Sequence, residues 1–307
     1  MALTLLVDAP SLIYRALFST PDTVRTPAGE PINAVHGFLG MLAGLIAGQR
    51  PDALACAEDA DWRPQWRVDL IPGYKVHRTL EGSAAVEAEQ RLAPQFPILR
   101  EIMQRCGLPL IGVPDFEAED VLGTLAARAV RPGGAGAAEE DQVAIFSGDR
   151  DLFQLVHDPY VSVLYPRRGT SDLLEVDEGY ITRTYGIPGR AYAAYAILRG
   201  DPSDGLPGAR GIGDKSAAAL VAKYGDLAGV LAAADAAGPA ASGPLGKVRL
   251  DRDYLTRAEA VVRIRTDLPI PELDLTRRAV VDTTGLWELA EANGLTNAVR
   301  RLVDALG

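Results

Sequence analysis

LTLLVDAPSLIYRALF, residues 3–18, sets an unbroken apolar run of strand length ahead of a helical pattern, with Asp8 at the joint. An apolar run this short, lacking polar alternation, predicts a strand buried on both faces. Similar runs recur at ALACAED (53–59), LPLIGV (108–113), QVAIFSGD (142–149) and VSVLYP (161–166). Helical patterns separate them at 34–48, 95–107 and 117–130. Strand alternating with helix predicts an α/β domain, an open and mostly parallel sheet with helices on both faces.

From about residue 176 the strand pattern stops and helical segments broken by glycine and proline take over, including AYAAYAILRG, DKSAAALVAKYG and GLWELAEANG. The expected division is therefore an α/β domain over 1–175 and a helical domain over 176–307. RPGGAGAAEEDQ (131–142) and AAGPAASGPLGK (236–247) are expected to be surface loops.

The composition narrows the function. The 307 residues carry a net charge of -10, and no uninterrupted span of about 20 apolar residues would serve as a membrane helix. A cytoplasmic monomer without a membrane partner is expected. Cys56 and Cys106 lack metal-ligand spacing, and His36, His77 and His157 are scattered, which leaves imidazole and thiolate chemistry without a constellation. Of 31 basic residues only Lys75, Lys215, Lys223 and Lys247 are lysine, so lysine marks places where a compact ammonium matters.

The carboxylates are unevenly placed. Asp8 and Asp59 each end a predicted strand, Asp149 and Asp151 follow another, and Glu117, Glu119 and Asp120 open a helix. In an open parallel sheet the strand carboxyl ends converge on one crevice, where such folds bind ligands. Any one of these residues reads equally well as a helix cap or turn former. As a set they would repel one another unless a cation sat among them, and oxygen-only ligands select Mg²⁺ or Mn²⁺.

GDPSDGLPGARGIGDKSAAALVAKYG, residues 200–225, adds Asp201 and Asp204, then Gly208, Gly211 and Gly213, then Lys215 at the start of a helix. Such a turn leaves helix-start amides pointing outward, able to hold phosphate without sequence preference, with Lys215 adding a point charge. In WRVDLIPGYKVHR (66–78), the rings of Trp66 and Tyr74 could stack on an unpaired base beside Lys75 and Arg78.

Taken in order, these stretches resemble the bacterial 5′-to-3′ exonuclease and flap endonuclease family, the module that also forms the amino-terminal nuclease of DNA polymerase I. The resemblance implies a PIN-like α/β core, a helical arch near 75–95 and a helix-hairpin-helix near 200–225. It implies metal ligands at Asp8, Asp59, Glu117, Glu119, Asp120, Asp149, Asp151, Asp201 and Asp204. Arg15 would lie near substrate phosphates, with Lys75 and Arg78 facing the scissile one. Tyr74, Gly208, Gly211, Gly213 and Lys215 would contact DNA, and hairpin carbonyls would hold a K⁺ ion. The implied activity is two-metal-ion hydrolysis of DNA at 5′ ends and flaps during replication and repair.

This sequence departs from the family pattern in three places. Glu119 stands for the usual Asp, Gly205 for the usual Asn, and the spacing to Arg67 leaves the ligand after the second strand open between Asp59 and Asp61. Two other readings share these features: a PIN-like RNase, which generally lacks the duplex grip after residue 200, and a non-catalytic DNA-binding paralogue, which loss of ligands would mark.

Overall fold

A computed structural model describes residues 2–130, 141–276 and 280–307. Most of the glycine- and alanine-rich stretch expected as a loop at 131–142 lies outside the described residues.

Six strands form one sheet: β1 (Leu3–Asp8), β2 (Ala53–Ala57), β3 (Leu110–Ile111), β4 (Gln142–Phe146), β5 (Val161–Arg168) and β6 (Asp172–Val176). Their order is β3-β2-β1-β4-β5-β6. All neighbours run parallel except β5 and β6. Leu5, Leu6 and Val7 of β1 are fully buried, as expected for a central strand covered on both faces. The chain leaves β1 to one side for β2 and the other for β4, so a crevice opens where the carboxyl ends of β1 and β4 diverge.

The sheet differs from expectation at its edges. β3 keeps only two residues of LPLIGV, and β6 is an additional strand that the apolar runs did not reveal. It pairs antiparallel at the sheet edge with two of its five residues exposed and two half-buried, so its sequence DLLEV lacks the signature of a buried strand.

The helices of the first half are α1 (Ala9–Ser19), α2 (Asn33–Gln49), α3 (Gln65–Leu70), α4 (Ala84–Leu92), α5 (Phe96–Arg105) and α6 (Ala118–Ala129). The second half carries α7 (Glu178–Tyr185), α8 (Tyr192–Arg199), α9 (Asp214–Tyr224), α10 (Leu227–Ala236), α11 (Gly243–Leu250), α12 (Arg252–Val262), α13 (Thr283–Ala292) and α14 (Thr296–Leu306). Two apolar cores result, one on each side of the sheet. The first joins α6 to α8–α12. The second joins α1, α2 and α5 to α13 and α14, so the final helices return to the α/β half. The stretch near 75–95, expected as an arch, holds a short 3₁₀ turn (Val76–Thr79) and α4, which packs inward through Ala88 and Leu92. Among the described residues no single helix is long and apolar enough to cross a membrane.

Candidate active site

The carboxyl ends of the central strands open into a cavity of about 860 Å³. Asp8, Asp59, Glu117, Glu119, Asp149 and Asp201 line it, together with Lys75 and Arg78. Three of these acids are helix N-caps. Asp8 accepts from the Ser11 N–H, Asp149 from the Asp151 N–H and Asp201 from the Ser203 N–H, each through Oδ1. The capping reading therefore holds for all three, and it does not exclude a functional one. The cap fixes one oxygen and the rotamer, and the second oxygen is left for other partners.

Glu117 is the most heavily engaged carboxylate. Its Oε1 accepts from Arg67 Nη1 at 2.8 Å and from the Tyr74 hydroxyl at 2.7 Å, while its Oε2 pairs with Lys75 Nζ. Tyr74 is thereby corrected: its ring is buried and cannot stack on a base, and its hydroxyl holds Glu117 instead. Lys75 is also buried, with its Nζ 4.0 Å from Asp204, and Arg78 Nη2 pairs with Asp204 at 2.7 Å. Both expected phosphate-facing cations thus rest on carboxylates at the cavity wall.

Of the two acids after β2, Asp59 is the one at the cavity. Its Oδ1 accepts from the Ala118 N–H at the start of α6 and it lines the cavity, whereas Asp61 caps the Arg63 N–H nearby. Asp120 departs from expectation. It is fully buried and absent from the cavity wall, bonded to Arg67 Nη2 and to the Arg265 N–H. Asp151 and Asp204 are nearly buried behind Asp149 and Asp201. Arg15, half-buried on α1, does not line the cavity, and its Nε has no partner among the described residues.

Electrostatics mark the cavity as charge-stressed. Burial pushes Asp8 up to about 6, with Asp59 adding repulsion, and burial pushes Asp59 up to about 6, with Glu117 adding repulsion. Glu119 and Asp151 lie well above the usual carboxylate range, first from burial and then from Glu117 and Asp149 respectively. Burial alone would lower Lys75, but Glu117 carries it above its ordinary value. Among the described residues no three acids are gathered into a finished cation cage. Lys75, Arg67 and Arg78 occupy several of the oxygens that would form one. The donor set nevertheless fits a hard divalent ion: it is all oxygen, desolvated, and strained by its own charge.

Asp201 reaches this cavity, with Asp204 buried behind it, because the loop after α8 folds tightly. Gly200 and Gly208 both have positive φ, and a Cβ on Gly208 would meet the Arg199 backbone at 2.5 Å. Gly205 is similar: its φ is +72°, and a Cβ there would lie 2.4 Å from the Gly73 carbonyl oxygen. Gly205 thus suits the close approach of the 204–205 and 73–75 backbones. Further along, Gly211, Gly213 and Lys215 are exposed, Gly208 is buried, and α9 begins at Gly213 without a side-chain cap. The Lys247 ammonium donates to the Gly211 carbonyl at 2.9 Å, and Asp251 accepts from the Arg210 N–H at 2.7 Å.

Comparison with known proteins agrees with this geometry. Residues 3–186 match the model of the 5′-3′ exonuclease N-terminal resolvase-like domain, and 187–283 that of the 5′-3′ exonuclease C-terminal SAM fold. The chain belongs to the 5′-3′ exonuclease family. It is 44% identical to a 5′-3′ exonuclease of Streptomyces coelicolor, covering 98% of this chain and 99% of that one. It is 37% identical over 233 residues to DNA polymerase I of Mycobacterium bovis, covering 76% of this chain and 24% of the polymerase. The solved bacteriophage T5 D15 flap endonuclease, in complex with DNA and metal ions, aligns with a TM-score of 0.62 at 15% identity, covering 99% of each chain.

Several residues of this family member's site went unnoticed in the sequence. Tyr14, Trp62, Arg150, Tyr165 and Arg199 line the cavity, Ser147 bonds Asp8 from beneath, and Arg67 organises the acids of α6. Arg67 carries one signal: an arginine in a short helix before YKVHR, with three acids at 117–120 in need of a counter-charge.

Proposed function

We propose that this exonuclease is a structure-specific 5′ nuclease that hydrolyses DNA at 5′ ends and 5′ flaps with Mg²⁺ or Mn²⁺. The observation that carries the reading is the convergence on one cavity of six of the expected acids, Asp8, Asp59, Glu117, Glu119, Asp149 and Asp201, with four cations, Lys75, Arg78, Arg150 and Arg199. Asp8, Asp59, Glu117 and Glu119 would hold one ion, and Asp149, Asp151, Asp201 and Asp204 a second. Bound there, such ions supply Lewis-acid stabilisation of phosphate charge and an activated water.

The chain's own groups do the rest. Lys75 and Arg78 are poised to turn from Glu117 and Asp204 toward phosphate charge as it develops. Arg150 and Arg199 add positive charge on the wall formed by Tyr165 and Asp201. Residues 76–92 bracket the cavity mouth, where a single-stranded 5′ end would pass. The uncapped amides of α9 and Lys215 would hold the duplex phosphates. A K⁺ ion at the hairpin would share the Gly211 carbonyl's surroundings with the Lys247 ammonium. The local cations and bound metal offset the overall acidity, so a net charge of -10 is compatible with DNA.

Cleavage of a 5′-labelled flap with Mg²⁺ or Mn²⁺ tests the reading. Wild type should release the flap near the junction, Asp149→Ala should abolish release, and Lys215→Ala should chiefly weaken binding. A wild type that binds the flap and never cuts it with either metal would overturn the reading in favour of a DNA-binding paralogue.

A further inference from the structure

We propose that Asp120 and Arg67 are positioning residues. They form a buried charge node through which the strap after α12 holds Glu117 and Glu119 toward the cavity. The inference rests on the nuclease reading of that cavity and departs from the sequence expectation that Asp120 is itself a metal ligand.

Asp120 and Arg67 have no exposed surface. Asp120 Oδ1 accepts from Arg67 Nη2 at 3.0 Å and from the Arg265 N–H at 2.9 Å. Neither residue lines the cavity. Arg67 then spreads its fork over the other two acids: Nη1 reaches Glu117 Oε1 at 2.8 Å and Nη2 lies 3.3 Å from Glu119 Oε1. Its remaining donor, Nε, bonds the Val261 carbonyl at 3.1 Å, and its guanidinium lies 4.7 Å from the Trp66 ring centre. A planar fork with five fixed donors can serve this many acceptors, and a lysine ammonium cannot.

The end of α12 and the strap, residues 263–270, are locked onto α6 and onto the 3₁₀ turn (Arg150–Leu155) that follows β4. Gln154 Nε2 donates to the Val262 carbonyl while its Oε1 accepts from the Ile264 N–H. Thr124 Oγ1 accepts from the Leu268 N–H, and Arg128 donates to the carbonyls of Leu268 and Ile270. A Cβ at Gly123 would sit 2.7 Å from the Arg265 carbonyl, so α6 and the strap touch through backbone. The strap continues directly from α12, whose neighbour α11 carries the lysine that bonds the Gly211 turn. Chain continuity and hydrogen bonds thus connect the hairpin region to the acids of the cavity.

The alternatives separate in how Asp120 tolerates loss of charge. As a metal ligand, Asp120 should respond to Asp120→Asn as Asp149 does to Asp149→Asn. As a positioning acceptor, its amide oxygen still receives both donors. Groups that orient ligands typically cost about 10–100-fold in metal affinity when deleted.

The test is Mn²⁺ binding to the full chain without DNA, by calorimetry or electron paramagnetic resonance, with circular dichroism confirming the fold of each variant. Asp120→Asn should bind Mn²⁺ within about threefold of wild type, whereas Asp120→Ala and Arg67→Lys should each lose about tenfold or more. In flap cleavage, Arg67→Lys should lower kcat with KM for DNA little changed. Loss of Mn²⁺ binding in Asp120→Asn equal to that in Asp149→Asn would overturn the proposal, as would unchanged Mn²⁺ binding in Arg67→Lys. Should Asp120→Ala fail to fold, Asp120→Asn and Arg67→Lys still decide it. A wild type that binds Mn²⁺ but cuts no flap would remove the nuclease reading and leave the node to be judged by the same binding data. A wild type that binds no Mn²⁺ would remove both.

Discussion

Ser147, just past the end of β4, donates its hydroxyl to Asp8, at the end of β1, across the point where the strand order reverses. The same oxygen accepts the Asp149 N–H at 2.9 Å, so one serine links two of the cavity's acids. It is completely buried and has no route to water. Ser147→Ala would leave the Asp149 N–H and an Asp8 oxygen without their partner, at a cost of about 1–3 kcal/mol. Urea denaturation should show that loss, and flap cleavage should fall further than stability alone explains because Asp8 and Asp149 lose their common register.

The shifted acids predict an unusual pH dependence for the metal-free protein. Asp8 and Asp59 titrate near 6 when folded, against 3.8 for an ordinary Asp. The folded state therefore binds more protons than the unfolded state between those values, and stability must fall as pH rises through that window. Burial raises Glu119, Asp149, Asp151 and Asp204 as well, which acts in the same direction. With EDTA present, Tm should be higher near pH 5.5 than near pH 7.5. Adding Mg²⁺ at pH 7.5 should recover the difference, because a bound cation stabilises the folded state by mass action. A Tm that rises steadily from pH 5.5 to 7.5 in EDTA would contradict the charge stress described here.

Most of the sheet was legible because β1, β2, β4 and β5 are short apolar runs of strand length, separated by helical patterns. β6 was not, since an antiparallel edge strand reveals itself only through β5. At the site, order along the chain indicated which acids belong together, and six of the nine do line one cavity. Sequence spacing could not show which way a side chain turns. Asp120 turns inward because Arg67 and the Arg265 amide wait there, and Tyr74 turns inward because Glu117 accepts its hydroxyl. Those partners are distant in sequence, at separations of 53, 145 and 43 residues.

At Gly205 the two halves of the site meet through backbone as well as side chains. The Lys75 N–H bonds the Asp204 carbonyl at 2.9 Å, and Arg78 bonds both Ser203 O and Asp204 Oδ1. Gly205→Ala would meet the Gly73 carbonyl and must hold a positive φ that alanine disfavours. A cost of about 1–3 kcal/mol is expected. Because the contact lies between Lys75 and Asp204, kcat for flap cleavage should drop in the same variant. Gly213→Ala, where a Cβ meets nothing and φ is -109°, should be near neutral in stability and serves as the control.

Lys215 and Lys75 should separate binding from chemistry. Lys215 is exposed at the start of α9, so its ammonium is available to one phosphate. Lys215→Ala should weaken flap binding and reduce the slope of log K against log salt by about one, the signature of a single lost phosphate contact. Lys75 instead stands in the cavity wall on Glu117, and under the proposed function it would meet charge that develops during reaction. Lys75→Ala should lower kcat by about 100-fold or more while leaving the salt slope nearly unchanged. Fluorescence anisotropy of a labelled flap in Ca²⁺ across 50–200 mM KCl, with single-turnover cleavage in Mg²⁺, reads both quantities. If Lys75→Ala lowered the slope and spared kcat, its place on Glu117 would be a resting contact alone and the cavity's chemistry would have to be reassigned to Arg78.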